Sequence, residues 1–204
     1  MDSSYFNTVY QTEGNPWGTS TSDIVEQHVE LLQGSTVLDI GAGDGRNTLY
    51  LAEHGFTVHA LDFAATGLKN LMEKARSRGV DASIVPITAD FMDYQADTRY
   101  DNIISTFTLH FAGESNLIPF LNKAMELTKP GGVMIVEDFT ANSELVVNSK
   151  NYIPTAESLR EHYVDAGWHI HHSATRMSES RQRNAAGEPY INEAAGIVAQ
   201  KPPL

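Results

Sequence analysis

The sequence contains no cysteine and few basic residues. Without cysteine, the chain has no disulfide bond, no thiolate nucleophile and no Cys-ligated zinc site. Lysine and arginine total 14 against 26 acidic residues, a net charge of −12 that opposes binding to nucleic acid or to anionic lipid. No apolar run approaches the roughly 20 residues that span a bilayer, and the polar N-terminal stretch lacks the pattern of a signal peptide. We therefore expect a cytoplasmic protein with no nucleic-acid or membrane partner.

The order of apolar and polar segments predicts strands that alternate with helices. Strand-like runs such as STVLDI and FTVHALD are each followed by a segment with helical periodicity, and this alternation occurs five times. It is typical of a mostly parallel sheet with helices on both faces. The last two predicted strands, WHIHHSATRM and INEAAGIVAQK, have no helix between them and should pair as an antiparallel hairpin, joined by a polar link over residues 178–190. We expect one domain over residues 1–204.

Three glycines lie within five positions after the first predicted strand. Gly41, Gly43 and Gly45 allow positive φ and a close approach of a ligand to the backbone. In an open α/β sheet, ligands bind beyond the carboxyl ends of the strands, which is where this turn lies. The spacing differs from the G-x-G-x-x-G of dinucleotide-binding proteins, and no Gly-Lys-Ser/Thr of a P-loop follows. Asp39 at the mouth of the turn would repel a phosphate but suits an ammonium group.

Carboxylates also end the next two predicted strands. Asp62 is placed to accept hydrogen bonds from two ribose hydroxyls, and Phe63 beside it offers a face on which adenine can stack. Asp90 can accept a hydrogen bond from the adenine amino group, while the backbone N–H of Phe91 reaches a ring nitrogen. The ligand so described has a ribose, a purine and an ammonium group but no phosphate, and S-adenosylmethionine fits that description.

The chain resembles class I S-adenosylmethionine-dependent methyltransferases over nearly its whole length. The matching segments, in family order and spacing, are VLDIGAGDGRNTLYLAEHG, ALDFA, ITADFMDY, YDNIISTFTLHF and LTKPGGVMIVEDF. The resemblance implies a three-layer, Rossmann-like α/β fold whose seven-stranded, mostly parallel sheet has an antiparallel C-terminal hairpin. The last strand of that hairpin lies between the fifth and sixth strands. The resemblance also assigns residues of this chain to the cofactor: Asp39, Gly41, Gly43 and Gly45 to its methionine end, Asp62 to the ribose, Asp90 and Phe91 to the adenine, and Thr106 to the methionine side.

Within that superfamily, GRNTLYLAEHG and STFTLHF look most like the tellurite-resistance and thiopurine methyltransferase branch. The early segment YFNTVYQTEGNPWG is similar to the aromatic segment that precedes the core in that branch. The tellurite enzymes carry a His-Arg pair in the polar link before the last strand, where this chain has Ser180, Arg181 and Gln182. The resemblance therefore implies in-line methyl transfer to a small-molecule acceptor and leaves that acceptor open.

Two candidate residues for the acceptor side follow the fourth and fifth predicted strands. His110 is the candidate for a general base or a substrate-orienting group, because the ordinary pKa of histidine lies near neutrality. It could equally have only a structural role, as the hydrogen-bond donor to a loop carbonyl. Asp138 faces the same crevice and could bind a cationic substrate, or could only cap the segment that follows.

The N-terminal aromatic residues Tyr5, Tyr10 and Trp17 form a predicted substrate-binding lid within residues 1–20. The alternative is that they cover the sheet as ordinary packing. The run WHIHH puts His169 and His171 on one face of a strand, as two metal ligands would be, but no third ligand follows at a useful spacing. We expect no metal site.

Two other functions are compatible with the same cofactor site. A protein that binds S-adenosylmethionine without transferring the methyl group would act as a sensor or a subunit, and it would form no S-adenosylhomocysteine. An enzyme that cleaves or cyclises the cofactor would release methylthioadenosine. A homodimer is also compatible with the sequence, which carries no signal for or against one.

Overall fold

A seven-stranded sheet forms the middle layer of the structure, a computed structural model that describes residues 3–146 and 155–203. In chain order the strands are β1 (Thr36–Ile40), β2 (Thr57–Asp62), β3 (Ile84–Thr88), β4 (Tyr100–Thr106), β5 (Thr128–Phe139), β6 (His169–Arg183) and β7 (Pro189–Gln200). They lie side by side in the order β3-β2-β1-β4-β5-β7-β6, and β7 runs antiparallel to the other six strands. The predicted fold class, including the inserted last strand, is confirmed.

Helices cover both faces of the sheet. They are α1 (Ser3–Thr12), α2 (Asp23–His28), α3 (Arg46–Glu53), α4 (Ala65–Arg78), α5 (Leu117–Leu127) and α6 (Ala156–Asp165). The apolar sides of α2, α3 and α4 pack on one face of the sheet, and those of α5 and α6 pack on the other. Because successive strand residues point to opposite faces, neighbours such as Val37 and Leu38 enter different cores. In the described ranges, no helix has both the length and the apolar character needed to cross a membrane.

Helix α2 begins directly after Ser22, ends at His28 and continues as a single 3₁₀ turn. The reason is that Ser22 is fixed from outside the helix: its backbone N–H donates to Asn47 Oδ1 at 2.9 Å, and its hydroxyl lies 3.4 Å from that of Thr106. Tertiary contacts therefore decide where this helix starts.

The C-terminal hairpin is longer than the sequence predicts. Most of the predicted polar link 178–190 belongs to the strands, since β6 continues to Arg183 and β7 begins at Pro189. The remaining turn is closed by Asn184, whose side-chain oxygen accepts hydrogen bonds from two backbone N–H groups at 2.9 and 3.0 Å. Polar residues form strands here because they pair with β7. The segment KPGG likewise belongs to a strand, β5.

The N-terminal segment forms helix α1, which the sequence did not predict, and α1 is anchored on α4. The side-chain oxygen of Asn7 accepts a hydrogen bond from the Thr66 backbone at 2.9 Å. In return, Asn70 donates to the backbone carbonyl of Tyr10 at 2.9 Å. Each helix thus supplies a partner for an unpaired backbone group of the other, and the segment is fixed beside the carboxyl end of the sheet.

Candidate active site

The carboxyl ends of β1, β2 and β4 open into one cavity of about 580 Å³. This is the edge at which open α/β sheets bind ligands. Residues predicted from the sequence that line the cavity are Asp39, Gly41, Gly43, Asp62, Phe63, Asp90, Phe91, Thr106, His110, Tyr10 and Trp17. Ser180 also lines it, whereas the side chains of Arg181 and Gln182 are outside the described part of the chain.

Three predicted residues lie outside the cavity wall. Gly45 faces α4, where a Cβ atom would come within 2.1 Å of Leu71 Cδ1, so it allows helix packing. Tyr5 is 59% exposed and its ring packs edge-on against Phe6. Asp138 is buried beneath His110 and does not face the crevice, in contrast to the sequence-based expectation.

The glycine turn after β1 leaves no room for side chains. Gly41 has φ of 75°, and a Cβ atom there would lie 2.1 Å from the hydroxyl of Thr108. Gly43 has φ of 56°, and a Cβ atom there would lie 2.5 Å from the hydroxyl of Tyr10. Both conformations favour glycine, and both positions bring the backbone to the cavity surface.

Asp39 is a buried carboxylate at the mouth of this turn. Burial raises its pKa to about 6, while the hydrogen bond from the Thr48 hydroxyl and the charge of Arg46 oppose the rise. The Thr48 hydroxyl lies 2.6 Å from Asp39 Oδ2. An ionised Asp39 would be further stabilised by a cation in the cavity, because opposite charges attract strongly where water is excluded.

Asp62 ends β2 and holds the turn in place. Its two carboxylate oxygens each accept a backbone hydrogen bond at 2.8 Å, one from Gly43 and one from Ala64. Burial raises the pKa of Asp62, and these two hydrogen bonds oppose the rise. Each carboxylate oxygen has a second lone pair that remains available to a ligand.

Asp90 and Phe91 differ in how they meet the cavity. Asp90 is exposed, and its Oδ1 accepts a hydrogen bond from the Met92 backbone at 2.8 Å. The Phe91 ring is buried against Phe120, with ring centroids 4.5 Å apart, and Lys123 donates to the Phe91 carbonyl at 2.7 Å. The Phe91 ring is therefore a core residue, and the exposed carboxylate of Asp90 lines the cavity at this end.

Aromatic residues of the N-terminal segment close another side of the cavity. Phe6 lies between Phe63 and Phe111, with ring centroids 5.3 and 5.1 Å away. Trp17 Nε1 donates to the Tyr10 hydroxyl at 3.0 Å, and burial raises the pKa of that hydroxyl. The segment therefore contacts both the β2 side and the β4 side of the cavity.

His110 and Asp138 form a hydrogen-bonded pair. His110 Nδ1 lies 2.6 Å from Asp138 Oδ1, and the backbone N–H of His110 donates to Oδ2 at 3.1 Å. The ring packs against Phe111 and Phe139. Since an ionised carboxylate only accepts, Nδ1 carries the proton and Nε2 is left as the acceptor nitrogen. No described residue is hydrogen-bonded to Nε2, and His110 lines the cavity.

A group of charged and aromatic residues in the wall was missed by the sequence analysis. Arg176 of β6 makes two hydrogen bonds to Glu137 of β5, at 2.6 and 3.2 Å. The guanidinium carbons of Arg176 and Arg46 both lie near the Phe107 ring, 5.8 and 5.4 Å from its centroid. Among the described residues, Phe107 is the one non-glycine residue with positive φ, 57°. Such strain is found at functional sites.

Part of this group could have been found in the sequence. A basic residue in the first turn of a helix is unfavourable with respect to the helix dipole, so Arg46 directly after the glycine turn is a signal. Arg176 is harder to find, because it reaches Glu137 across β7. It can do so because the β7 residues at that crossing, Ala194 and Gly196, are small.

His169 and His171, the pair considered as metal ligands, lie outside the cavity wall. The rings of His169 and His171 are 4.7 Å apart at the start of β6, and His171 Nε2 lies 3.0 Å from Gln200 Oε1. Over the described ranges, no three His, Asp or Glu side chains are grouped so that they could hold a metal ion.

The inserted antiparallel strand and the acidic glycine turn define the class I S-adenosylmethionine-dependent methyltransferase fold. The model of one family of that class, described as tellurite resistance protein TehB, matches residues 2–191. The chain belongs to the TehB family. S-adenosylmethionine is the cofactor of this class.

Individual relatives agree with the family. The chain is 24% identical over 198 residues to a probable S-adenosyl-L-methionine-dependent methyltransferase TehB of Haemophilus influenzae, covering 97% of this chain and 66% of that protein. It is 29% identical over 170 residues to a ubiquinone biosynthesis O-methyltransferase of Caulobacter vibrioides, covering 83% and 65%. The crystal structure of TehB from H. influenzae has the same fold, with a TM-score of 0.77, 23% identity and coverage of 98% and 66%. The chain thus spans about two thirds of the length of these relatives.

Proposed function

We propose that this chain transfers the methyl group of S-adenosylmethionine to a small-molecule acceptor, with His110 as the general base. The observation that carries the proposal is the arrangement of one cavity. Carboxylates at the ends of three strands line it, and His110, which is hydrogen-bonded to Asp138, borders it after β4.

The residues at the β1–β3 end of the cavity fit an S-adenosyl ligand. Asp62 has lone pairs left for two ribose hydroxyls, and Asp39 offers a buried carboxylate to an ammonium group. Asp90 is exposed to the adenine position. The glycines of the turn, Gly41 and Gly43, give the ligand access to backbone atoms that a Cβ would cover. Phe63 lines the same end and supplies an aromatic face.

The protein's part in the reaction is alignment and proton removal. When bound, S-adenosylmethionine supplies a methyl group already activated by the sulfonium. The cavity walls then have to hold the acceptor in line with that methyl group and keep water out. For an acceptor that carries a proton on its nucleophilic atom, Nε2 of His110 accepts it, and Asp138 stabilises the resulting imidazolium.

The acceptor side of the cavity suits a small and partly apolar molecule. Its walls include the rings of Phe107, Phe111 and Phe139, together with Leu145. The cavity of about 580 Å³ must hold both cofactor and acceptor, which favours an acceptor no larger than a simple metabolite. The net charge of −12 argues against a nucleic acid as acceptor.

The N-terminal segment is proposed as a lid over a single methyltransferase domain. Its support is the contact of Tyr10 and Trp17 with each other and with the cavity, and the anchoring of α1 on α4. Tyr5 lies too far out to take part. A cytoplasmic location stays a prediction of the sequence, and a homodimer stays compatible with it.

The first test is calorimetric titration with S-adenosylmethionine and, separately, NADH, followed by chromatography of the nucleoside. We expect binding of S-adenosylmethionine alone, and weaker binding by Asp62→Ala. A panel of small phenols, thiols, carboxylates, tellurite and selenite is then screened for S-adenosylhomocysteine formation. The family does not favour the alternative, cleavage or cyclisation of the cofactor, and methylthioadenosine as the product without any acceptor would overturn the proposal.

His110→Gln separates binding from chemistry. We expect it to bind S-adenosylmethionine as the wild type does but to transfer the methyl group about 10²- to 10⁴-fold more slowly, the usual contribution of a general base. His54→Gln is the matched control, because His54 is exposed at the end of α3 and lies outside the cavity wall. Equal rates of methyl transfer for His110→Gln and wild type would mean that His110 is not the general base.

A further inference from the structure

Arg176 of β6 lines the cavity and uses only one edge of its guanidinium group within the protein. Its Nε and Nη2 atoms donate to the two carboxylate oxygens of Glu137, at 2.6 and 3.2 Å. Because a guanidinium group is planar and has five N–H groups, the edge formed by Nη1 and Nη2 still carries donors. Over residues 3–146 and 155–203, no described group accepts a hydrogen bond on that edge, and the side chain is 38% exposed. The second edge can therefore bind a carboxylate in two hydrogen bonds.

Glu137 holds Arg176 in a fixed position. The Glu137 side chain is buried near the end of β5, and its backbone carbonyl accepts the N–H of Phe107 at 2.7 Å. The hydrogen bonds to Glu137 raise the pKa of Arg176, which keeps the guanidinium group charged. The charge of Asp23 acts in the same direction, but Asp23 is exposed to solvent. A guanidinium group held in this way loses little conformational freedom when it binds an anion.

Two arginines share the buried carboxylate of Glu137. Glu137 exerts the largest charge interaction on Arg46, and the charge of Arg176 acts on Arg46 in the opposite direction. Asp39 and Asp44 also attract Arg46, but Asp44 lies 2.7 Å from an ammonium group of α4, and Asp39 is the proposed partner of the cofactor's ammonium group. One carboxylate for two guanidinium groups leaves this part of the wall attractive to an anion.

Aromatic rings connect Arg176 with the proposed general base. The Phe107 ring centroid is 5.8 Å from the guanidinium carbon of Arg176 and 4.7 Å from the ring centroid of Phe139. The Phe139 ring in turn lies 5.4 Å from the ring of His110. All four side chains line the cavity. An acceptor that spans this wall meets a cation at one end, apolar rings in the middle and a proton acceptor at the other end.

We propose that the acceptor is an aromatic carboxylate with a phenolic hydroxyl, and that Arg176 binds its carboxylate; the inference rests on the proposed function. The acceptor ring packs against Phe107 and Phe139. Its hydroxyl faces Nε2 of His110, which takes the proton during methyl transfer. Arg176 thus determines specificity for the acceptor, and Glu137 positions Arg176.

Two other anions could reach the same guanidinium edge. An inorganic oxyanion such as tellurite would bind Arg176 but would leave the aromatic wall uncovered. The carboxylate of the cofactor is expected elsewhere, because Arg176 belongs to β6 whereas the residues proposed for the cofactor lie at the β1–β3 end of the cavity. The experiment includes a measurement for each.

The test compares 4-hydroxybenzoate with its neutral amide, 4-hydroxybenzamide. Calorimetric affinities for both are measured in the presence of S-adenosylhomocysteine, and methyl transfer to both is measured separately. The variants are Arg176→Lys, which keeps a charge beside Glu137 but lacks the second edge, and the double variant Arg176→Gln/Glu137→Gln, which leaves no unpaired buried charge. Arg78→Gln, which breaks an exposed ion pair outside the cavity wall, is the matched control. A thermal melt verifies the folding of each variant.

We expect wild type and Arg78→Gln to bind the carboxylate about 10- to 100-fold more tightly than the amide, the range for a hydrogen bond to a charged group. The double variant should lose this preference through weaker binding of the carboxylate, with nearly the same affinity for the amide. Its KM for 4-hydroxybenzoate should rise by the same factor. Arg176→Lys should keep part of the preference, and both variants should bind S-adenosylmethionine as the wild type does.

Four outcomes would overturn the assignment of Arg176. They are no preference in wild type, a full preference in the double variant, an equal loss for carboxylate and amide, and a loss of affinity for S-adenosylmethionine, which would put the cofactor's carboxylate on Arg176. Displacement of 4-hydroxybenzoate by a lower concentration of tellurite would overturn the choice of an aromatic acceptor.

The failure of this inference can be distinguished from that of the proposed function. If wild type methylates the carboxylate and the amide equally well, only the role of Arg176 fails. If wild type prefers the carboxylate in the calorimeter but forms no S-adenosylhomocysteine with any acceptor, the proposed function fails, whereas Arg176 remains a carboxylate-binding residue.

Discussion

The carboxylate of Asp138 contacts both the ring and the backbone of His110. Oδ1 lies 2.6 Å from Nδ1, Oδ2 accepts the His110 backbone N–H at 3.1 Å, and Oδ1 also accepts from Phe139 at 2.7 Å. These bonds fix the ring position and the proton on Nδ1 at the same time. The orientation of the proposed base therefore depends on a residue that never touches the cavity.

Asp138→Asn should reduce kcat while leaving cofactor affinity nearly unchanged. An amide has one acceptor oxygen in place of two and no negative charge, so it cannot keep all three hydrogen bonds that hold the His110 ring and its backbone, and it cannot stabilise the imidazolium. We expect kcat to fall by about 10²- to 10⁴-fold. The measurement is steady-state kinetics with a thermal melt to verify folding, and Asp165→Asn at the end of α6 serves as control. Full activity in Asp138→Asn would mean that His110 does not act as a base.

The pH dependence of cofactor binding should follow Asp39. Its carboxylate binds an ammonium group only when ionised, and its pKa in the unliganded protein is about 6. We expect the affinity for S-adenosylmethionine to fall as the pH drops below about 6. In Asp39→Asn the affinity should be low and nearly independent of pH over the same interval. A wild-type affinity that is constant from pH 7 to pH 5 would contradict this role.

In the unliganded protein, ionisation of Asp39 should have an unfavourable effect, because it lowers the free energy of unfolding. Because the folded-state pKa of Asp39, about 6, lies above the ordinary aspartate value of 3.8, the native state binds the proton more tightly than the unfolded chain. The contribution of Asp39 is most favourable below pH 4 and is lost as the pH rises towards 6. The shift corresponds to about 3 kcal/mol at most. Urea unfolding of wild type and Asp39→Asn, compared at pH 4 and pH 7, isolates this contribution.

Gly41→Ala should destabilise the protein more than Gly79→Ala. Both glycines have nearly the same φ, 75° and 72°, but a Cβ atom meets the Thr108 hydroxyl at 2.1 Å only at position 41. The shared backbone strain costs about 1–2 kcal/mol, and overpacking adds about 1–3 kcal/mol at Gly41 alone. Chemical denaturation of the two variants gives the difference. Equal losses would mean that Thr108 moves away at no cost.

The proposed lid can be observed through Trp17. The chain has two tryptophans, and Trp168 is buried in the core between the sheet and α6, so Trp168→Phe leaves Trp17 as the only indole reporter. Addition of S-adenosylmethionine should change its emission. Trp17→Ala should release the cofactor faster by about 5- to 30-fold, equivalent to about 1–2 kcal/mol. If neither the emission nor the release rate changes, the segment only packs against the sheet and does not act as a lid.

The elements around β1 and β2 could be predicted closely because local signals define them. Helix α4 runs from Ala65 to Arg78, as its periodicity and the following Gly79 indicate, and Gly79 has the left-handed conformation of a helix end. The positions of Asp39 and Asp62 could also be predicted, because each lies at the carboxyl end of a strand in the parallel part of the sheet. Here sequence neighbours are also neighbours in the structure.

The acceptor side could not be predicted in this way because distant segments build it. Arg176 reaches Glu137 only because β7 lies between their strands and presents Ala194 and Gly196 at the crossing. The strand conformation of residues 178–183 depends on pairing with β7 and not on their own polar character. Helix α1 left a weak signal, Phe6 and Tyr10 one helical turn apart.

The reversal of the chain in β7 has a consequence for how this protein can diversify. Because β7 is antiparallel to both neighbours, β6 runs in the same direction as β5, and its later half arrives at the carboxyl edge of the sheet. The end of the cavity proposed for the cofactor is lined by residues of the β1–β3 region. The C-terminal hairpin adds Arg176, Ser178, Glu179 and Asn192 to the wall, and these residues belong to a separate region of the chain. Substitutions in that hairpin can reshape the acceptor pocket while the glycine turn stays intact, so a lineage can acquire new acceptors on an unchanged cofactor platform.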